Sequence, residues 1–223
     1  MEDVGAQLRK ARMERGMSLR ELARRLELSA SALSQIETGK NRPNVETLYM
    51  IVAELGLSLD DLVFRRKRGA ADDSDETGTD AASAGERHGP RSRAADGPLQ
   101  HGEDRPSIQL DSGVTWERLT AEHDPEGDFF TSVYEPGGAS SRDSHLIVHS
   151  GREYHLLLKG RLTVSIGFET YELKAGDSIS FASTEPHRLF NPGDTPAETV
   201  TFVMGRRQDD RRNLAFNDGS QDD

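Results

Sequence analysis

Five residues in the second half of this 223-residue chain could together hold a metal ion: His145, His149, Glu153, His155 and His187. Four of them crowd into the run His145-Leu-Ile-Val-His149-Ser-Gly-Arg-Glu153-Tyr-His155. In a β-strand, residues two apart share a face. That rule puts His145, Ile147 and His149 on one face of one strand and Glu153 with His155 on one face of the next. Imidazoles and a carboxylate brought together from separate strands make a plausible divalent metal site for Fe, Zn, Ni or Mn. The chain has no cysteine, which removes disulfides and thiolate ligands and makes a reducing cytoplasm the expected setting.

These residues need a scaffold, and the sequence divides into parts of different character. Hydrophobic content of 34% beside 30% charged residues is low for a chain folded throughout, so a disordered portion is expected. No apolar run is long enough to span a bilayer, so no membrane partner is expected. The net charge of −11 is uneven. Residues 1–68 carry 13 Lys+Arg against 10 Asp+Glu, a net of +3. Residues 69–107 carry 4 against 9, a net of −5, and residues 108–223 carry 11 against 20, a net of −9. Only the first part can approach a polyanion without strong repulsion.

Helix signals fill that first part. Leu8, Ala11 and Arg12 follow Val4 at helical spacing as far as Arg15-Gly16. Ser18 with Glu21 is a capping box opening a second helix through Leu26. Ser29 or Ser31 caps a third, closed by Thr38-Gly39. Asn44 opens a fourth, with Leu48, Ile51, Val52 and Leu55 on one face and Gly56 as its stop. Ser58, with Asp60 and Asp61, opens a short fifth. The expected layout is a five-helix domain over 1–66, a flexible, disordered linker over 67–107, an all-β domain over 108–205 and a polar tail over 206–223. Strands are expected at Phe129–Tyr134, Leu156–Leu158, Leu162–Ile166, Thr170–Leu173, Ile179–Phe181 and Thr199–Val203. Many short strands at this spacing favour a sandwich or jelly-roll barrel.

Leu19, Leu22, Ala23 and Leu26 form an apolar face that Leu28, Leu33 and Ile36 continue after a tight turn. Such a helix pair is a helix-turn-helix, whose second helix enters the major groove of DNA. The residues Leu8-Arg9, Ser18-Leu19, Glu21-Leu22-Ala23, Ser29, Ser34 through Gly39, Pro43, Leu48 and Leu55 resemble the XRE/Cro-C1 family of lambda-repressor-like regulators. The resemblance implies operator double-stranded DNA as partner. It assigns DNA contacts to Ser18, Ser29, Ala30, Ser31, Ser34 and Gln35, with Lys40, Asn41 and Arg42 near phosphates. Gln35 can pair bidentately with adenine. It also implies a structural ion pair between Arg12 and Glu37. Ser29 and Ser31 have an alternative role as helix caps only.

His149, Glu153, Gly160, His187 and Asn191 fall on the two motifs of the cupin family, which the β-domain resembles from about Phe129 to Val203. The first motif histidine is replaced by Ile147, and Ala182 and Thr184 stand where the second motif has Pro and Gly. The resemblance implies that His149, Glu153 and His187 are metal ligands, with His155 a fourth ligand or a donor behind them. That is the make-up of a non-haem iron facial triad. His145, Ile147, Arg142 and Arg188 are the expected effector-pocket residues, with surface placement the alternative for the arginines. Three functions fit. The chain is a transcriptional regulator whose cupin binds a small-molecule effector, a metal, or both, and joins two chains as a homodimer. Alternatively it is a metal-dependent enzyme with a helix-turn-helix relic, like the cupin epoxidase of fosfomycin biosynthesis. A third reading is a degenerate barrel used only for dimerisation. The regulator, not an enzyme, is the reading expected here.

Overall fold

A computed structural model describes residues 4–57, 98–122, 124, 126–141 and 145–205. The first block holds four helices: α1 (Val4–Glu14), α2 (Leu19–Arg25), α3 (Ala30–Glu37) and α4 (Val45–Leu55). The fifth helix expected after Ser58, most of the expected linker and the expected tail lie outside the described residues.

Side-chain caps set the helix starts. The Ser18 hydroxyl accepts from the Glu21 N–H at 3.1 Å, Ser29 from Ala32 at 3.0 Å, and the Asn44 carbonyl oxygen from Thr47 at 2.7 Å. Each satisfies a backbone donor that the first helical turn leaves without an intrahelical partner. Gly56 closes α4 in the left-handed conformation, φ 53°, which costs glycine nothing. Leu8, Leu22, Leu33, Leu48, Ile51 and Leu55 are buried together. Full burial of one such side chain contributes roughly 1.5–3 kcal/mol. Gly5 lets α1 lie against α3, because a Cβ there would sit 2.1 Å from the Ile36 carbonyl oxygen.

Nine strands follow: β1 (Ser107–Leu110), β2 (Val114–Arg118), β3 (Gly127–Tyr134), β4 (Arg152–Lys159), β5 (Arg161–Ile166), β6 (Glu169–Lys174), β7 (Ser178–Ala182), β8 (His187–Phe190) and β9 (Ala197–Met204). They form an antiparallel six-stranded sheet, β1-β2-β3-β9-β4-β7, and a three-stranded sheet, β6-β5-β8. Phe130, Leu157 and Val203 of the larger sheet share a core with Leu162, Val164 and Leu189 of the smaller. The strand signals predict β3–β7 and β9. They miss β1, β2 and β8, which are short and carry charged or polar residues among few apolar ones.

Residues 145–150 are not the strand that alternation predicts. Ile147 makes one isolated bridge to His187, and the His149 N–H donates to the Ser183 carbonyl at 3.0 Å. The segment is tied to residues 183–187 at these two positions and is not a named strand. His145 is therefore exposed while Ile147 is buried, although both sit at odd positions of the same run.

Candidate nucleic-acid interface and metal centre

In the helical half, α3 is held from behind. Leu33 and Ile36 are buried, and Glu37 at its end receives two hydrogen bonds from Arg12, Nε at 2.6 Å and Nη2 at 2.8 Å. The Arg12 Nη1 donates to the Met17 carbonyl at 2.7 Å. This fork ties α1, α3 and the turn before α2 together, so Arg12 and Glu37 are structural. Ser18, Ser29, Ser31, Gln35, Lys40, Asn41 and Arg42 are exposed, and Ala30 and Ser34 are half-buried. Ser29 is the cap of α3, leaving Ser31 free of that duty. The Asn41 amide donates to Gln35 Oε1 at 2.6 Å, which fixes the orientation of the Gln35 amide.

In the β half, β4 alternates strictly, so Glu153 and His155 point inward together. His187 enters from β8 and His149 from the segment before β4. Glu153 Oε1 lies 2.8 Å from His149 Nε2 and 3.1 Å from His187 Nε2. Ligand atoms of these three residues lie within 4.8 Å of one another. Neither Glu153 Oε1 nor His187 Nε2 makes a geometrically acceptable hydrogen bond among the described residues. Buried polar atoms that close together without hydrogen-bond geometry suit a shared cation. The donor set therefore fits a divalent metal.

His155 is held differently. Its Nε2 lies in hydrogen-bond geometry 2.8 Å from Glu153 Oε2, and its Nδ1 lies 3.0 Å from Thr201 Oγ1. His187 Nδ1 donates to the Glu185 carbonyl at 2.8 Å, which directs Nε2 at the cluster. Burial alone would raise the Glu153 carboxyl, but the close imidazoles of His149, His155 and His187, the second of them hydrogen-bonded to it, outweigh burial and hold it well below the usual carboxylate range. The carboxylate is thus charged and ready to bind a cation.

The motif residue Asn191 is structural. Its amide donates to the Tyr134 and Thr195 carbonyls, both at 2.8 Å, and its Oδ1 accepts from Gly193 at 2.9 Å. Gly160 turns β4 into β5 at φ +78°, where a Cβ would meet the Pro196 carbonyl oxygen at 2.6 Å. Of the expected effector residues, Ile147 bridges His187 directly. Arg188 lies on the opposite face of β8 from His187 and stacks over Phe190 at 4.8 Å. Arg142 falls outside the described residues.

Phe181 packs on His187 with ring centroids 4.9 Å apart, and Tyr134, Trp116 and Tyr49 are further rings of this region that carry no sequence motif. Tyr134 is buried next to Ser132, and burial first, then the charge of Glu153, pushes its hydroxyl above the ordinary tyrosine value. It therefore stays protonated, able to donate. Trp116 is buried, with its indole N–H lacking a hydrogen-bond partner among the described residues. Tyr49, from α4 of the helical half, packs on His149 with ring centroids 4.8 Å apart. Alternation in β2 and β3 could have placed Trp116 and Tyr134 inside; nothing in sequence brings Tyr49 there. An open groove of about 330 Å³ runs along β4, β7 and β9, lined by Tyr154, His155, Leu156, Ser178, Ile179, Ser180, Val200 and Phe202.

Comparison with known proteins agrees with both halves. A helix-turn-helix family model matches residues 8–62, and a cupin-domain model matches residues 130–203. The HTH-type transcriptional regulator PuuR of Escherichia coli is 25% identical over 84% of this chain and 86% of its own length. The chain is an XRE-type helix-turn-helix regulator with a cupin domain. The HTH-type transcriptional regulator DdrOP3 of Deinococcus deserti is 36% identical, but over 25% of this chain and 43% of that protein. The structure of an HTH_3 family transcriptional regulator from Vibrio cholerae covers 92% of this regulator and 96% of its own chain at TM-score 0.58 and 19% identity, a likeness of fold. Among the described residues, no helix is long and apolar enough to cross a membrane.

Proposed function

We propose that this regulator binds a two-fold operator in the cytoplasm as a homodimer, reads DNA with α3, and senses a divalent metal, a small effector or both in its barrel. It is not an enzyme in this reading. The observation that carries it is the two-sided α3: Leu33, Ile36 and Glu37 are locked in the core while Ser31 and Gln35 face outward. Gln35 reads bases, Ser34 and Ser31 assist, and Lys40 and Arg42 meet phosphates. With few cations on the reading helix, one head binds weakly, and a dimer supplies the second half-site.

The dimer contact is assigned to the outer face of the large sheet. Phe129, Tyr154, Leu156 and Leu158 are exposed there, and the Phe129, Phe202 and Tyr154 rings adjoin one another across β3, β9 and β4. An apolar sheet face of this kind is self-complementary under two-fold symmetry.

His149, Glu153 and His187 would hold the metal, and His155 orients Glu153 in place of serving as a fourth ligand. A bound divalent ion supplies a Lewis-acidic centre for an effector oxygen. Tyr134 offers its hydroxyl and Trp116 its indole N–H to the same effector. The triad make-up favours one competing reading, a metal-dependent enzyme. That reading requires stoichiometric iron with turnover; purified protein that lacks either removes it.

The test of DNA reading is binding to the regulator's own upstream region at fixed salt. Gln35→Ala should cost about 1–3 kcal/mol of binding free energy. Arg42→Ala should reduce the salt slope by about one. If both variants bind like the wild type, the assignment of α3 fails.

A further inference from the structure

Among the described residues, Arg42, Pro43 and Tyr49 of the helical half touch the barrel, and Tyr49 does so at the metal cluster. The Arg42 guanidinium donates to Gln109 Oε1 at 2.8 Å. The Asp111 N–H donates to the Pro43 carbonyl at 3.0 Å. Tyr49 inserts its ring between Trp116, at 5.6 Å, and His149, at 4.8 Å. Pro43 and Asn44 are buried, and Tyr49 is half-buried. The start of α4 thus covers one wall of the cluster, and Arg42, a phosphate-contact candidate, is engaged by the barrel.

We infer that the DNA-binding domain docks on its own cupin barrel as an inhibitory cap, with Tyr49 reading the state of the metal site through His149. The inference rests on the regulator reading above. His149 and Glu153 stand 2.8 Å apart, a direct contact. Filling the site replaces this contact with a bond from each atom to the cation, at about 2.0–2.2 Å, and so re-aims the His149 ring. The His149 side chain keeps 12% of its surface exposed, against 6% for Glu153 and none for His187, so His149 is the ligand able to give way. The Tyr49 ring resting on it must then shift, loosening the bonds at Pro43 and Arg42. Release returns Arg42 to the phosphates and frees the head to find its half-site. Metal and DNA therefore favour the same undocked state, and each raises affinity for the other by one shared factor.

Trp116 is the chain's one tryptophan, so its emission reports the docked state. The experiment uses the full chain, Zn²⁺ alone as probe and labelled DNA from its upstream region. Tyr49→Ala breaks the cap from the head, and Gln109→Ala breaks it from the barrel without touching the head or the indole contacts. In the wild type, Zn²⁺ should change Trp116 emission and tighten DNA binding about fivefold or more. Without Zn²⁺, Gln109→Ala should already show that emission change and that gain, and Tyr49→Ala should show the gain. Zn²⁺ should then add little to either variant. Wild-type emission in zinc-free Gln109→Ala, together with an undiminished zinc effect on DNA binding in both variants, would overturn the cap. If no form binds DNA while Gln109→Ala still reproduces the zinc-induced emission change, docking stands and the regulator reading falls.

Discussion

Each half of the molecule buries a glutamate among nitrogen bases, and the two sites have opposite character. Glu37 meets one guanidinium whose fork matches both its oxygens, at 2.6 and 2.8 Å. Every strong donor and acceptor there is used, and the result is a closed structural fastening. Glu153 meets three imidazoles, and its Oε1 faces two ring nitrogens at close range without hydrogen-bond geometry. A site with convergent donors left over is built for something that arrives later. Burial of charge alone does not mark function; the surplus does.

Breaking each site should separate the two roles. Glu37→Ala should have the largest effect on stability, about 3–5 kcal/mol lost from the helical domain, because Arg12 is left buried and unpaired. Urea unfolding followed by circular dichroism at 222 nm should show the loss, with Trp116 in the barrel as the separate probe. Glu153→Gln should cost the barrel less than Glu37→Ala costs the helical domain yet weaken Zn²⁺ binding about 100-fold or more by calorimetry, since the neutral amide cannot balance the cation. A barrel that unfolds on this change would make Glu153 a fastening like Glu37. His155→Ala should give a smaller loss of Zn²⁺ affinity, about 10–100-fold, the range expected for a residue that orients a ligand. A loss as large as that of Glu153→Gln would make His155 a ligand after all.

The same contrast explains what could be read from sequence. The helices were legible because Ser18, Ser29 and Asn44 cap them by local chemistry, and the Arg12–Glu37 pair followed from the family resemblance. The grouping of His149, Glu153 and His187 followed from the cupin motif, and the inward pairing of Glu153 with His155 from alternation in β4. Alternation failed for His145 to His149, because that segment is pinned at Ile147 and Ser183 and is not paired along its length. Strands β1, β2 and β8 carry too few apolar residues to stand out, and each gains its place from its neighbour in the sheet. The placement of Tyr49 depends on contacts between distant segments that no local pattern encodes.

Footprinting of the full chain on its upstream DNA tests the central claim most directly, that α3 reads an operator as one of two paired heads. Two protected patches about 10–10.5 base pairs apart, or a multiple of that spacing, are predicted for the wild type. Both should weaken together in Gln35→Ala. A single patch, or uniform protection unchanged by Gln35→Ala, would contradict it.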